Sequence, residues 1–457
     1  MNEPQYEFDL ELETEHIRAI LNTDNLETFR ELFLNYPLYD QAQLYRNLSP
    51  DNRLKIYNYL SPKEMSDMFE ILEEDVESVD TYILEMNKQY AADMLANMYT
   101  DNAVDMLKQL EPEMIPKYLR LMDDEQAAHL REVLVYEDAT AGAIMTTEFI
   151  AIKANQTVRS AMAILKSKAP EAETIYYIYV IDSKEQLVGV ISLRDLIISH
   201  EDKMIYEIMS DRIIRINVDD DQADVARVAR DYDLLALPVV DDNNVLLGII
   251  TVDDILDVMH EEATSDYSGL AAVDVEETTM NPFRAASKRL PWLITLLFLG
   301  MGTSTLISRY EGLISNAAVL SVFVTLITGT AGNAGTQSLA VAVRKIGLPD
   351  TEKRTWFSVV MQETLTGLIS GLITGLTITI VVGIWQKNFI LGSIIGFSML
   401  AAITVANLAG SLIPILMDKI GFDPAVASGP FISTFSDLTS VLIYFNIAKN
   451  FLDMLTQ

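Results

Sequence analysis

DPAVASGPFISTFSDLTSVLIYF, residues 423–445, decides how the rest of the chain is read. It is apolar enough to enter a bilayer, yet it places Ser433, Ser436, Asp437 and Ser440 along one helix. About 20 apolar residues cover a ~30 Å hydrocarbon core, which puts Asp437 near mid-membrane. A carboxylate there needs a buried base, a proton and a hydrogen-bond partner, or water and cations. No span offers a buried Lys or Arg, so a cation pathway is favoured over a protonated Asp437. Gly429-Pro430 predicts a break in this helix.

Working outward, four more apolar segments precede it, at roughly 291–308, 314–342, 357–385 and 389–417, with the fifth at about 426–449. The second contains GNAGTQS (332–338), in which Asn333 and Gln337 stand four apart on one helical face. Its glycines let backbones approach closely or let the helix unwind toward a cavity. The plainer alternative is interhelical packing glue. Gly367, Gly371 and Gly375 of the third segment read as a packing face, and Glu363 as a residue at the membrane interface, where its cost is small. With residue 290 inside, the inner loops hold eight Lys and Arg (Arg284, Lys288, Arg289, Arg344, Lys345, Lys353, Arg354, Lys419) against three outside (Arg309, Lys387, Lys449). That bias predicts a cytosolic N-terminus and five spans.

Charge is divided as sharply as hydropathy. Residues 1–290 carry 58 acids and 25 bases, whereas the chain from Pro291 onward has eight of each. The net charge of −33 therefore belongs to the first part. Such an excess repels nucleic acid and anionic headgroups and attracts cations, although solubility alone is the plainer account. Nucleic acid is not an expected partner. With no cysteine, neither a disulfide framework nor a thiolate metal site is available. The opening MNEPQYEFDLELETE has no basic n-region and no apolar run, so it does not read as a signal peptide. His16, His129, His200 and His260 are scattered with no nucleophile–base pair, and the chain reads as a non-enzyme.

The acidic part holds two repeats. Apolar residues recur twelve apart at Leu48, Leu60 and Leu72, then at Met86, Met98, Leu110, Met122 and Leu134. Ser49-Pro50, Ser61-Pro62, Thr100-Asp101 and Glu111-Pro112 predict helix starts between them. Units this short must stack to bury a face, which predicts an all-α superhelix over 1–137. Over 138–260, IMTTEFIAI (144–152) answers IMSDRIIRI (208–216), and LVGVISLRDLI (187–197) answers LLGIITVDDIL (246–256). These two copies resemble a tandem pair of CBS domains, an α/β fold. The resemblance implies a cleft for an adenine nucleotide such as ATP as a regulatory ligand. Its ribose would be held by Ser192 with Asp195; Thr251 with Asp254 are the matching residues in the second copy. Many such pairs bind nothing.

Residues 261–286 read as an acidic linker helix broken at Pro282, and 287–457 as the transmembrane domain. The whole order of segments, with GNAGTQS and DPAVASGPFISTFSD, resembles the MgtE family of magnesium channels. That resemblance implies a multidomain fold and a homodimer in the plasma membrane, with a pore on the two-fold axis lined by the second and fifth spans. Mg2+ is then both cargo and regulator. Asp437 matches the family's pore aspartate, and Gly429 and Ser433 match its neighbours. Asp101, Asp105, Asp221, Asp233, Asp254, Asp257, Glu262 and Asp266 match or fall near its cytosolic Mg2+ ligands. Two departures stand out: Thr325 where a proline is usual, and Ala223 where a carboxylate is usual. The first leaves the bend of the second span open, and the second implies fewer or weaker regulatory sites. A carrier for Mn2+ or Co2+ shares every feature. A CBS-regulated anion channel or a membrane sensor without transport would leave Asp437 unexplained.

Overall fold

A computed structural model describes residues 8–72, 79–273, 275, 281–316, 318–346, 356–420 and 428–451. The chain divides into two compact units, Met1–Met259 and His260–Gln457. Lys353, Arg354 and residues 423–427, which the sequence reading used, lie outside the described residues.

The first unit opens with ten helices among the described residues, α1 (Leu10–Asn22) to α10 (Asp124–Val133). None exceeds the 13 residues of α1, so none is stable by itself in water. Their stability comes from stacking: Leu48, Leu60, Leu72, Met86, Met98, Leu110 and Met122 are all buried in one core, with Leu134 packed against it. The Ser61-Pro62 start is a full capping box, in which the Ser61 amide donates to Glu64 Oε2 at 2.8 Å and the Glu64 amide donates back to Ser61 Oγ at 3.3 Å. Two predicted starts differ. Tyr99 takes the capping position of α8 (Thr100–Lys108), leaving the Thr100 hydroxyl free for another partner. Glu111-Pro112 lies in the turn before α9 (Ile115–Leu119).

The two repeat copies fold alike. β1 (Ala151–Lys153), β2 (Tyr177–Ile181) and β3 (Leu187–Ser192) form one three-stranded sheet; β4 (Ile216–Asn217), β5 (Ala236–Val240) and β6 (Leu246–Thr251) form the other. In each, the first pair is parallel and the second antiparallel, with an irregularity at Val180/Ile181 and again at Val239/Val240. Helices α11 (Val158–Lys168) and α12 (Leu193–Ile198) belong to the first copy, α13 (Gln222–Asp231) and α14 (Val252–Ala271) to the second. The copies also exchange bridges, Thr146 with Ile249 and Val190 with Ser210. Ile216, Val225, Leu237, Ile250 and Val258 of the second copy join the core of the helical stack, whereas the first copy keeps a core around Ile150, Ile178 and Ile191.

The second unit contains α15 (Pro282–Ser308), the short α16 (Glu311–Asn316), α17 (Val319–Ile346), α18 (Trp356–Trp385), α19 (Phe389–Lys419) and α20 (Gly429–Asn450). All but α16 are long and apolar enough to cross a membrane, five helices among the described residues. α19 is central, packed against α17, α18 and α20. The predicted glycine face is the α18–α19 seam: a Cβ on Gly375 would stand 2.6 Å from the Gly396 carbonyl oxygen, and one on Gly371 2.9 Å from that of Leu400. Only a residue without a side chain allows so close a backbone crossing.

One open alternative is decided here and two expectations are corrected. Of the two readings of the GNAGTQS glycines, close approach holds: α17 runs unbroken through the motif, and Gly332 and Gly335 are where Ser433 and Ser436 of α20 meet it. Gly429-Pro430 does not break the fifth span but starts it, with Pro430 in the first turn, where its missing N–H costs nothing. Pro282 likewise opens α15, and Asn281 Oδ1 accepts from the Phe283 amide at 3.0 Å. Glu363 is buried within the unit, and Lys345 Nζ reaches its Oε1 at 3.4 Å. A buried carboxylate needs that partner.

Candidate metal centre and ion pathway

In the second unit, α17 and α20 cross where glycine meets serine. A Cβ on Gly332 would lie 2.9 Å from Ser433 Oγ, and one on Gly335 2.9 Å from Ser436 Oγ. Asn333 and Gln337, four apart, fall on the exposed side of α17. One turn beyond Ser433 on α20 stands Asp437, half-buried, with no ion pair among the described residues. Bare amides and an unpaired carboxylate on apolar helices are not tolerated by lipid. That surface must face water or another protein chain. Gly429 starts α20 at the end of α14: a Cβ there would stand 3.2 Å from the Leu270 carbonyl oxygen, and Leu270 packs against the cluster of Leu339, Val343 and Ile432.

The first unit holds a cluster of a different kind. Asp101 of α8, Glu173 of the loop before β2 and Asp254 of α14 bring carboxylate oxygens within 4.8 Å of one another. Asp101 is only 3% exposed. Its Oδ1 accepts from the Asn102 amide at 2.8 Å, while its Oδ2 is buried without a partner, as is Glu173 Oε2. Asp254 Oδ2 accepts from the Thr251 hydroxyl at 2.6 Å and amide at 3.1 Å. Beside them Glu148 accepts from the Thr100 amide (3.1 Å), the Thr100 hydroxyl (2.8 Å) and the Thr146 hydroxyl (2.7 Å). The displaced Thr100 hydroxyl finds its partner here.

Burial dominates the electrostatics of this cluster. It raises Asp101 well above the usual carboxylate range, helped by Glu173 and Asp254. Burial likewise pushes Glu173 up to about 8 and Asp254 to about 6, each opposed by threonine hydroxyl donors. Protons held in the folded protein are therefore released as pH rises. Unfolded carboxylates titrate near 4, so between about pH 4 and 8 the folded state binds more protons than the unfolded. Stability then falls with rising pH across that window. Chelator-treated protein is expected to resist heat or protease better at pH 6 than at pH 8, with part of that slope removed in Asp101→Asn. Equal slopes in the two proteins would show that these carboxyls are not the cause.

An oxygen-only donor set with two orphaned buried oxygens fits a hard divalent cation. Of the predicted ligands, the structure joins Asp101 and Asp254 and adds Glu173, which the sequence reading missed. Asp105 lies one turn along α8, half-buried and outside the trio; Asp257, Glu262 and Asp266 are exposed along α14. Asp221 caps α13 by accepting from the Ala223 amide at 2.9 Å. Asp233 sits in the left-handed region at φ 52°. In the first copy, Ser192 Oγ donates to Asp195 Oδ2 at 2.7 Å and accepts from the Asp195 amide at 3.1 Å, on an exposed surface. The matching Thr251–Asp254 pair is committed to the acidic cluster. Only the first copy thus leaves its hydroxyl–carboxylate pair open.

Comparison with known proteins gives matches along most of the chain. Residues 324–447 match the divalent cation transporter family MgtE, residues 36–139 the MgtE intracellular N domain, and residues 141–200 and 205–261 the CBS domain. A magnesium transporter MgtE of Enterococcus faecalis is 61% identical over 455 residues, covering 99% of each chain. The Bacillus subtilis protein of that name is 40% identical over 74% of this chain and 75% of its own. Among solved structures, the soluble part of a magnesium transporter is 54% identical with a TM-score of 0.54, covering 56% of this chain and all of that one. The cytosolic domain of the Mg2+ channel MgtE in complex with ATP is 32% identical with a TM-score of 0.51, covering 54% and 99%.

Proposed function

The chain belongs to the MgtE family of divalent cation transporters, and from that premise we propose that it admits Mg2+ down its electrochemical gradient and is closed by cytosolic Mg2+. The observation that carries this is Asp437, an unpaired carboxylate on an apolar helix packed against the helix that presents Asn333 and Gln337. Mg2+ gives up its waters reluctantly, so a conducting site should offer a few oxygens to an ion still largely hydrated. Two copies related by a two-fold axis would set Asp437, Ser433, Gly429, Asn333 and Gln337 around one pathway. α15, with no buried residue of its own, is a further reason to expect a homodimer. The plasma membrane with the acidic unit in the cytosol fits the Lys and Arg bias. A membrane potential supplies ~2.3 kcal/mol per charge per 100 mV, about twice that for a divalent ion, enough to drive entry without coupled hydrolysis.

Regulation is assigned to the acidic residues. Asp101 and Asp254 are the pair that would hold a regulatory Mg2+; a bound ion supplies the positive charge that burial otherwise demands as protons. Asp105, Asp221, Asp233, Asp257, Glu262 and Asp266 are secondary candidates for the same role. With the ion bound, the stack and the second repeat copy hold together, and the linker end at Leu270 stays against Gly429. Without it, the linker is freed. Uptake of Mg2+ by proteoliposomes but not by protein-free vesicles is the direct test of conduction.

ATP is the proposed ligand of Ser192 and Asp195. In the absence of nucleotide these two residues bond each other, so binding has to exchange that bond for ribose hydroxyls. Asp195→Ala is expected to weaken ATP binding in calorimetry at least several-fold while leaving ATP-free Mg2+ flux as in wild type. An unchanged affinity would place the nucleotide elsewhere.

A further inference from the structure

We propose that Glu173 of the first repeat copy is a direct ligand of the cation held by Asp101 and Asp254, so that one ion clamps three separate chain segments. This rests on the reading that the cluster is a regulatory Mg2+ site, and it adds a residue from a segment that reading did not involve.

Geometry separates the acids of the cluster. Octahedral Mg2+ holds oxygens at 2.0–2.1 Å, so its ligands stand ~3 Å apart when adjacent and ~4.2 Å when opposite. The oxygens of Asp101, Glu173 and Asp254 already lie within 4.8 Å of one another. A rotamer adjustment of under ~1 Å brings them to three of the six octahedral positions, and waters fill the others. Glu148, although adjacent, is not available: the donors from Thr100 and Thr146, and the Thr147 hydroxyl at 3.1 Å, occupy both its oxygens. Glu173 Oε2 has no donor, and neither has Asp101 Oδ2, whose residue is almost wholly buried. A buried carboxylate oxygen left without a donor is costly, and an ion held among the three carboxylates would relieve that cost.

The position of Glu173 is itself fixed. Its amide donates to the Glu148 carbonyl oxygen at 2.9 Å, and the Glu148 side chain grips the first residue of α8, next to Asp101. Glu148 is thus a positioning residue that aligns two ligands through its backbone carbonyl and its hydrogen-bonded side chain, whether or not an ion is present. Glu173 supplies charge; Glu148 supplies register.

The test uses the full-length protein in detergent, with protease resistance of the acidic unit measured against Mg2+ and tightly bound Mn2+ counted by equilibrium binding. Glu173→Gln is expected to raise the Mg2+ midpoint for protection by about tenfold or more, as losses around metal ligands do, and to remove one tight Mn2+ per chain. Combined with Asp101→Asn it should add nothing further, because both variants lose the same ion. Glu173→Asp, which keeps the charge but shortens the reach, should shift the midpoint less; it serves if the glutamine variant does not fold. An unchanged midpoint and Mn2+ count in Glu173→Gln would overturn the proposal, as would a shift fully additive with Asp101→Asn. So would protection without Mg2+, which would make Glu173 a source of repulsion only. If Asp101→Asn shifts the midpoint and Glu173→Gln does not, the Mg2+ reading stands and Glu173 is no ligand. If wild-type protein gains no protection from Mg2+, both fail together.

Discussion

Asp437→Asn is expected to lower Mg2+ flux into proteoliposomes to that of protein-free vesicles, with the variant still purifying as a folded membrane protein. The substitution keeps the shape of the side chain and removes only its charge. No hydrogen bond or ion pair among the described residues depends on Asp437, so nothing in the helix packing is lost. What is lost is the only carboxylate on α20 able to draw a divalent ion into a low-dielectric region. Moving an ion there is opposed by several kcal/mol even after relaxation, and each ~1.4 kcal/mol not offset slows passage about tenfold. Two copies around one axis would lose two charges together, so the loss should be nearly complete. Ser433→Ala, which leaves the charge in place, should reduce flux far less. Flux near the wild-type level in Asp437→Asn would remove this residue from the pathway.

The second large effect is expected from the acidic cluster. Asp101→Asn combined with Asp254→Asn should leave the channel open at internal Mg2+ concentrations that shut the wild type. Burial and mutual proximity keep protons on these carboxyls while no ion is bound, and a divalent ion held there takes the place of those protons. The ion therefore stabilises the arrangement in which the three carboxyls meet, and its loss shifts the two-state equilibrium away from it. Two outcomes are separable. If ligation dominates, the double variant no longer closes with Mg2+ and leaks. If repulsion dominates, it closes without Mg2+. The first is expected, since two carboxylates contribute more to a bound divalent ion than their separation relieves in its absence. Asp105→Asn, outside the trio, should shift closure less than Asp101→Asn. Open probability against internal Mg2+ reads all three variants, and an unchanged midpoint in the double variant would make these aspartates ordinary buried acids.

The parts of this architecture legible in the sequence are those written in local period. The twelve-residue spacings from Leu48 to Leu72 and from Met86 to Leu134 mark helix ends that all turn inward. The paired copies around Ser192 and Thr251 announce two like sheets. Asp437 is conspicuous because a charge inside an apolar stretch has few explanations. What stayed hidden depends on contacts across long sequence separations. Glu173 is one of 58 acids before residue 291, and only its meeting with α8 and α14 singles it out. The Lys345–Glu363 pair needs the α17–α18 packing to bring its charges together. Local preference alone leaves a glycine in a span open between a close contact and an unwound turn, and makes Gly429-Pro430 and Pro282 look like breaks. In the fold, Gly332 and Gly335 are where α20 approaches, and Pro430 and Pro282 stand at first turns, where those preferences do no harm.

The most direct test of the account is a single flux experiment on wild-type protein in proteoliposomes, with internal Mg2+ varied and Mn2+ or Co2+ offered as competitors. The account predicts Mg2+ entry that follows the membrane potential, persists beside the competitors, and stops as internal Mg2+ rises. Entry that ignores internal Mg2+, or that carries only the competing ions, would contradict it.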